Sequence, residues 1–156
     1  MKPLSCNVYV AMKLLWDSAR TNQLLVMDDY RHLASSKSWL NEWCTIKVGC
    51  SRRSGHDYAI ANMARDFQHP MFLSMNLQQA AIVEKEVDRY APDVGARFFS
   101  VNNLRSAYGI SDVDAVFVNT CSFLSESKLD SIREFAMVFA GLRREENEPF
   151  GLFLVQ

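Results

Sequence analysis

The sequence predicts an α/β domain: a mainly parallel β-sheet with helices on both faces, preceded by a helical prefix. Two observations predict it. Short continuous apolar runs, such as Ala115-Val116-Phe117-Val118 and Leu152-Phe153-Leu154-Val155, read as strands buried on both faces, the pattern of parallel strands. Between such runs, apolar residues recur at helical spacing, as crossovers between parallel strands require. At 156 residues the chain fits a single domain, with residues 1–43 as the helical prefix and 44–156 as the core.

The elements follow in order. Residues 7–32 read as helical, because Val8, Met12, Leu15, Ala19, Leu24 and Leu25 recur near helical spacing. Ser35-Ser36-Lys37-Ser38 is a polar break, and Ser38 is the expected cap of a short helix carrying Trp39, Leu40 and Trp43. From Cys44 the pattern alternates. Thr45–Val48 is a β-rich run ended by Gly49, and a helix is expected from about Asp57 with Ile60, Met63, Ala64 and Phe67 on one stripe. Met71–Met75 reads as a buried strand, and Asn76 as the N-cap of a helix that ends before Pro92. Arg97–Val101 is a third strand, and Asn103–Tyr108 a short helix closed by Gly109. Asp114–Asn119 is the clearest strand. A long helix opens near Ser125 or Ser127, carries Leu129, Ile132, Phe135, Ala136 and Phe139, and is expected to stop at Gly141 and Arg143–Glu146. Phe150–Val155 is the last strand.

Composition narrows the function. With 49% hydrophobic and 22% charged residues, the chain can build a core without disulfide or metal staples. A net charge of -1 excludes a dominant nucleic-acid surface and leaves room only for a local basic patch. Cys6, Cys44, Cys50 and Cys121 contain no C-x-x-C pair, so neither a zinc motif nor a thioredoxin-like one is present. The N-terminus lacks the apolar core of a signal peptide, and no apolar run approaches the roughly 20 residues that span a bilayer. A cytoplasmic protein without a membrane partner is the expectation.

Parallel sheets bind ligands beyond the carboxyl ends of their strands, which places Gly49–Asp57 and Asn119–Ser125 at the candidate site. The first of these, Gly49-Cys50-Ser51-Arg52-Arg53-Ser54-Gly55-His56-Asp57, lies between a strand and a helix. Glycines let such a loop curl so that successive N–H groups, and the positive end of the following helix, converge on phosphate oxygens. Arg52 and Arg53 bring two further charges within reach of the same anion.

The loop resembles the Walker A motif of P-loop NTPases, G-x-x-x-x-G-K-[ST]. Gly55 matches the second glycine. The first falls at Cys50, with Gly49 one residue early; His56 stands in place of the lysine, and Asp57 in place of Ser or Thr. Val116-Phe117-Val118-Asn119 is similar to a Walker B strand whose terminal aspartate is replaced by Asn119. The resemblance spans roughly Thr45–Val155. It implies a P-loop NTPase-like core that holds phosphate through Gly49, Ser51, Arg52, Arg53, Ser54, Gly55, His56 and Asp57. It also implies ATP or GTP with magnesium as the cofactor, the metal addressed by Asp57 and Asn119, and otherwise none. The departures imply weak or absent hydrolysis and an accessory or regulatory role, with no catalytic residue assigned. The plain alternative is that Gly49–Asp57 is only a tight strand-to-helix turn.

Cys50–His56 also resembles the C-x5-R loop of cysteine-dependent phosphatases, but His56 occupies the arginine position. Cys121 follows the Asp114–Asn119 strand, where it could approach Cys50 as a thiol pair. Asp28, Asp29 and His32 are best explained as an exposed helix face. The apolar residues of the prefix (Tyr9, Leu14, Leu15, Trp16, Trp39, Trp43) are either core or a docking face for a protein partner or a second copy. A competing class is a non-enzymatic module on an NTPase-like scaffold that binds protein or nucleic acid.

Overall fold

The computed structural model describes residues 2–30, 35–49, 56–119 and 121–155. Helix α1 (Lys2–Tyr30) leads to a short helix α2 (Ser36–Ser38), which continues as a π-helical turn, Trp39–Cys44. Then come β1 (Thr45–Val48), α3 (His56–Ala64), β2 (Pro70–Ser74), α4 (Leu77–Tyr90) and β3 (Arg97–Ser100). A 3-10 segment (Val101–Ala107), β4 (Ala115–Val118), a 3-10 turn (Cys121–Phe123), α5 (Glu126–Glu145) and β5 (Gly151–Val155) complete the described chain.

The five strands form one sheet in the order β1-β5-β4-β2-β3, with every pairing parallel. One face is covered by α1, α3 and α4, whose buried residues Met12, Trp16, Ile60, Met63, Val83 and Val87 pack on Ile46, Phe72, Phe117 and Phe153. The opposite face carries α5 and the Trp39–Cys44 turn, packed on Met71, Leu73, Val116, Val118, Leu152 and Leu154. Strand residues alternate between these two cores because successive side chains of a strand point to opposite faces.

The registers Phe98↔Phe72↔Phe117↔Phe153 line up one phenylalanine from each of β3, β2, β4 and β5. Their rings stack in series with centroids 5.2, 5.1 and 4.5 Å apart. Trp16 of α1 closes this ladder, 5.7 Å from Phe153 and 4.9 Å from Phe67. Burying each such ring contributes about 1.5–3 kcal/mol, so the ladder is a main source of stability for this face.

Several boundaries differ from the sequence expectation for local reasons. Ser35, not Ser38, caps α2: its Oγ accepts from Ser38 N at 3.1 Å. Helix α5 passes through Gly141 but ends at Glu145, inside the expected Arg143–Glu146 stretch, and is followed by a left-handed Asn147 (φ 59). There Asn147 N donates to Arg144 O and Glu148 N to Arg143 O, a Schellman closure built on asparagine instead of glycine. Helix α3 ends at Ala64, and Phe67 joins the core from the turn beyond it. At the other end of α5 the expectation holds: Ser125, one of the two expected caps, accepts at Oγ from Lys128 N.

At the amino edge of the sheet, buried Asp114 accepts from Gln68 N (2.8 Å) and His69 N (3.0 Å), tying the turn before β2 to the start of β4. No helix among the described residues is long and apolar enough to cross a membrane.

Candidate functional site

The strand order defines where a ligand can enter. From β2 the chain crosses by α4 to β3, while from β4 it crosses by α5, on the other face, to β5. The segments leaving these two neighbouring strands therefore part in opposite directions, which opens a crevice at their carboxyl ends. Ser74 ends β2 and Met75 and Asn76 follow it, while Asn119 and Cys121 follow β4.

Asn119 and Asp57 meet at this edge although 62 residues separate them. Asn119 Nδ2 donates to Asp57 Oδ1 at 3.1 Å. The contact joins the first turn of α3 to the end of β4. Burial pushes the Asp57 carboxyl above its ordinary value, and the nearby charge of Glu86 pushes in the same direction; the Asn119 hydrogen bond and His56 act against them. Without compensation, such a carboxylate repels an anion.

Ser74 is 2% exposed, and its Oγ has no hydrogen-bond partner among the described residues. The same holds for the buried Nε2 of His56. A second set of polar groups lies towards β3. Ser100 Oγ accepts from Asn102 N, Asn102 Nδ2 donates to Met75 O at 3.2 Å, and Lys128 Nζ donates to Asn102 Oδ1. Asn76 caps α4 by accepting from Gln79 N at 2.8 Å.

Of the residues singled out from the sequence, Gly49 is exposed at the end of β1, and His56 and Asp57 open α3. Asn119 is in contact with Asp57. Cys50, Ser51, Arg52, Arg53, Ser54 and Gly55 lie outside the described residues, as does His32. Cys121 is buried immediately beyond β4. Asp28 and Asp29 are on an exposed part of α1, and among the described residues no three His, Cys, Asp or Glu side chains cluster as a metal site would. Sequence reasoning passed over Ser74, Asn102, Lys128 and Glu86. For Ser74 a signal existed: a hydroxyl closing the apolar run Met71-Phe72-Leu73.

No protein-family model matches the chain, and no curated protein or solved structure does either.

Proposed function

We propose that the chain is a phosphate- or nucleotide-binding protein of P-loop-like build, directed at ATP or GTP, with an accessory or regulatory role and impaired or absent hydrolysis. The observation that carries this reading is the hydrogen bond from Asn119 to Asp57. It brings the end of the glycine-containing loop to the end of the strand that resembles Walker B, at the edge where parallel sheets bind ligands. In this reading the loop backbone and the positive end of α3 hold phosphate oxygens, with Arg52 and Arg53 adding charge. Asp57 and Asn119 address magnesium, which offsets the repulsion between Asp57 and a phosphate. Hydrolysis, if present, would be slow and would depend on residues supplied by a partner.

The test is calorimetry with ATP and GTP, with and without magnesium, on the wild type and on the Arg52→Ala/Arg53→Ala double variant. Binding that weakens in the variant supports a working phosphate loop. Absence of binding at millimolar nucleotide sinks the reading.

A second reading, a non-enzymatic binding module, draws on α1. Val10, Leu14, Leu24 and Leu25 are exposed there, on the side opposite buried Met12, Trp16 and Met27. At 1.5 Å per residue the stripe runs about 22 Å. It suits a protein partner or a second copy docking through the N-terminal helices. Light-scattering mass over a range of concentrations tests self-association, which Leu14→Lys and Leu25→Lys should abolish. Nucleic acid is the alternative partner, with Arg52 and Arg53 facing phosphodiesters. Salt-dependent retention of DNA or RNA would support it.

A further inference from the structure

The carboxyl edge holds a buried polar group that the reading above does not use. Ser74 ends β2, its hydroxyl buried and without a hydrogen-bond partner among the described residues. Leaving a buried hydroxyl unsatisfied costs about 1–3 kcal/mol, so an apolar or alanine residue would serve a purely structural strand end better. Leu73 pairs with Val118, and the next residues along the two strands are Ser74 and Asn119. By strand alternation both share the α3 face with Phe72 and Phe117. Asn119 in turn holds one oxygen of Asp57. Register and alternation thus put the Ser74 hydroxyl beside Asn119 on the face that α3 covers, and Asn119 holds the Asp57 carboxyl at the same edge.

Oxygen donors with a single carboxylate suit a hard cation that keeps much of its water shell. An anion alone would meet the charge of Asp57. We propose that Ser74 and Asp57 supply the protein oxygens of a site for a divalent cation of the magnesium or manganese class, with Asn119 as positioning residue, and that this site fills without nucleotide. The proposal rests on reading this edge as the ligand-binding one. Cation binding comes first, neutralises Asp57, and only then admits a phosphate.

Manganese alone, titrated into the protein and followed by electron paramagnetic resonance, tests the proposal; ATP without metal is titrated separately by calorimetry. The wild type should bind manganese with nucleotide absent. Ser74→Ala, with its fold checked by thermal melting, should weaken that binding by about tenfold, the size of a lost partner in a metal's ligand environment. Asp57→Ala should weaken it further. Ser74→Cys should shift preference from magnesium towards cadmium, because a thiolate is the softer ligand; a structural serine would produce no such shift. Equal manganese binding by wild type and Ser74→Ala, or none by either, overturns the proposal. Metal-free ATP binding without any manganese binding would sink the cation site and spare the nucleotide reading. Manganese binding with no nucleotide binding under any condition would do the reverse.

Discussion

Gln23 and Phe150 are joined through both backbone groups of the phenylalanine. Gln23 Oε1 accepts from Phe150 N at 3.0 Å, and Gln23 Nε2 donates to Phe150 O at 2.9 Å. The same Nε2 donates to Trp43 O at 3.0 Å. A fully buried glutamine on α1 thus fixes the residue before β5 and the turn before β1. Replacing it with leucine keeps the volume but strips partners from three buried backbone groups. Gln23→Leu should destabilise the fold by about 3 kcal/mol, read as a lower urea midpoint at unchanged slope.

Gly151 opens β5 where no side chain fits. A Cβ there would lie 2.6 Å from Phe153 Cε2 and 3.0 Å from Trp16 Cζ3. Both rings belong to the aromatic ladder and its cover, so neither can move without disturbing its neighbours. Gly151→Ala should cost about 1–3 kcal/mol, the usual range for overpacking, and should alter Trp16 fluorescence in the native state.

At the end of α5, Asn147 holds a left-handed conformation that glycine adopts without strain. Asn147→Gly should be neutral or stabilising by a few tenths to about 1 kcal/mol, and Asn147→Val destabilising by about 1–2 kcal/mol. Thermal melting of the two variants beside the wild type distinguishes these directions.

Asp57 gives the metal-free protein a pH dependence of definite sign. Burial, with Glu86 adding to it, raises the folded-state pKa above that of the unfolded chain. Between the unfolded value of about 3.9 and the raised folded value, the native state holds more protons than the unfolded one. Stability therefore falls as pH rises through this window, and the deficit persists at neutral pH. Asp57→Asn should remove that component, leaving a variant more stable than wild type at pH 7 by urea denaturation in chelator-treated buffer. A wild type that gains on the variant as pH rises would contradict this.

Cys44 sits in the core under α5, and burial pushes its thiol far above the ordinary range, with the charge of Arg144 only partly offsetting it. The thiolate is the reactive form. Labelling of Cys44 by an aromatic disulfide reagent, read by peptide mass, should appear only when the protein unfolds.

The fold class was legible because β2, β4 and β5 are buried on both faces and so read as unbroken apolar runs. Strand order was not. Each crossover could have gone either way along the sheet, and only the pairing partners decide. The aromatic ladder was hidden for the same reason: Phe72, Phe98, Phe117 and Phe153 are aligned by register across the sheet, which no local periodicity records. Gln23 was hidden by its chemistry, since a polar residue on a helix reads as exposed until its carbonyl and amide partners are known. The end of α5 falls within the expected Arg143–Glu146 stretch, while Gly141, the other half of that stop signal, lies inside the helix. A Cβ at Gly141 would make only an ordinary contact with Ser36 Oγ at 3.8 Å, and the packed helix runs through that glycine. At the candidate site, the placement of Gly49, His56, Asp57 and Asn119 at one edge follows from general rules for parallel sheets. Ser74 does not, because its interest lies in lacking a partner, and that requires coordinates.

The position of β5 between β1 and β4 has a consequence for how the protein is made. Thr45 has its ladder partner in Leu152, and among the described residues β1 pairs with no strand but β5. During synthesis β1 emerges well before β5 and must wait for it before it can pair. In that interval β4, β2 and β3 can already join, while β1 still lacks its strand partner. Such long-range closure slows folding and leaves apolar edges uncovered. The edge at risk is β4, where Val116 and Phe117 await Leu152 and Phe153. A nascent chain stalled before Gly151 is the form in which this protein is most exposed to aggregation and to chaperone capture.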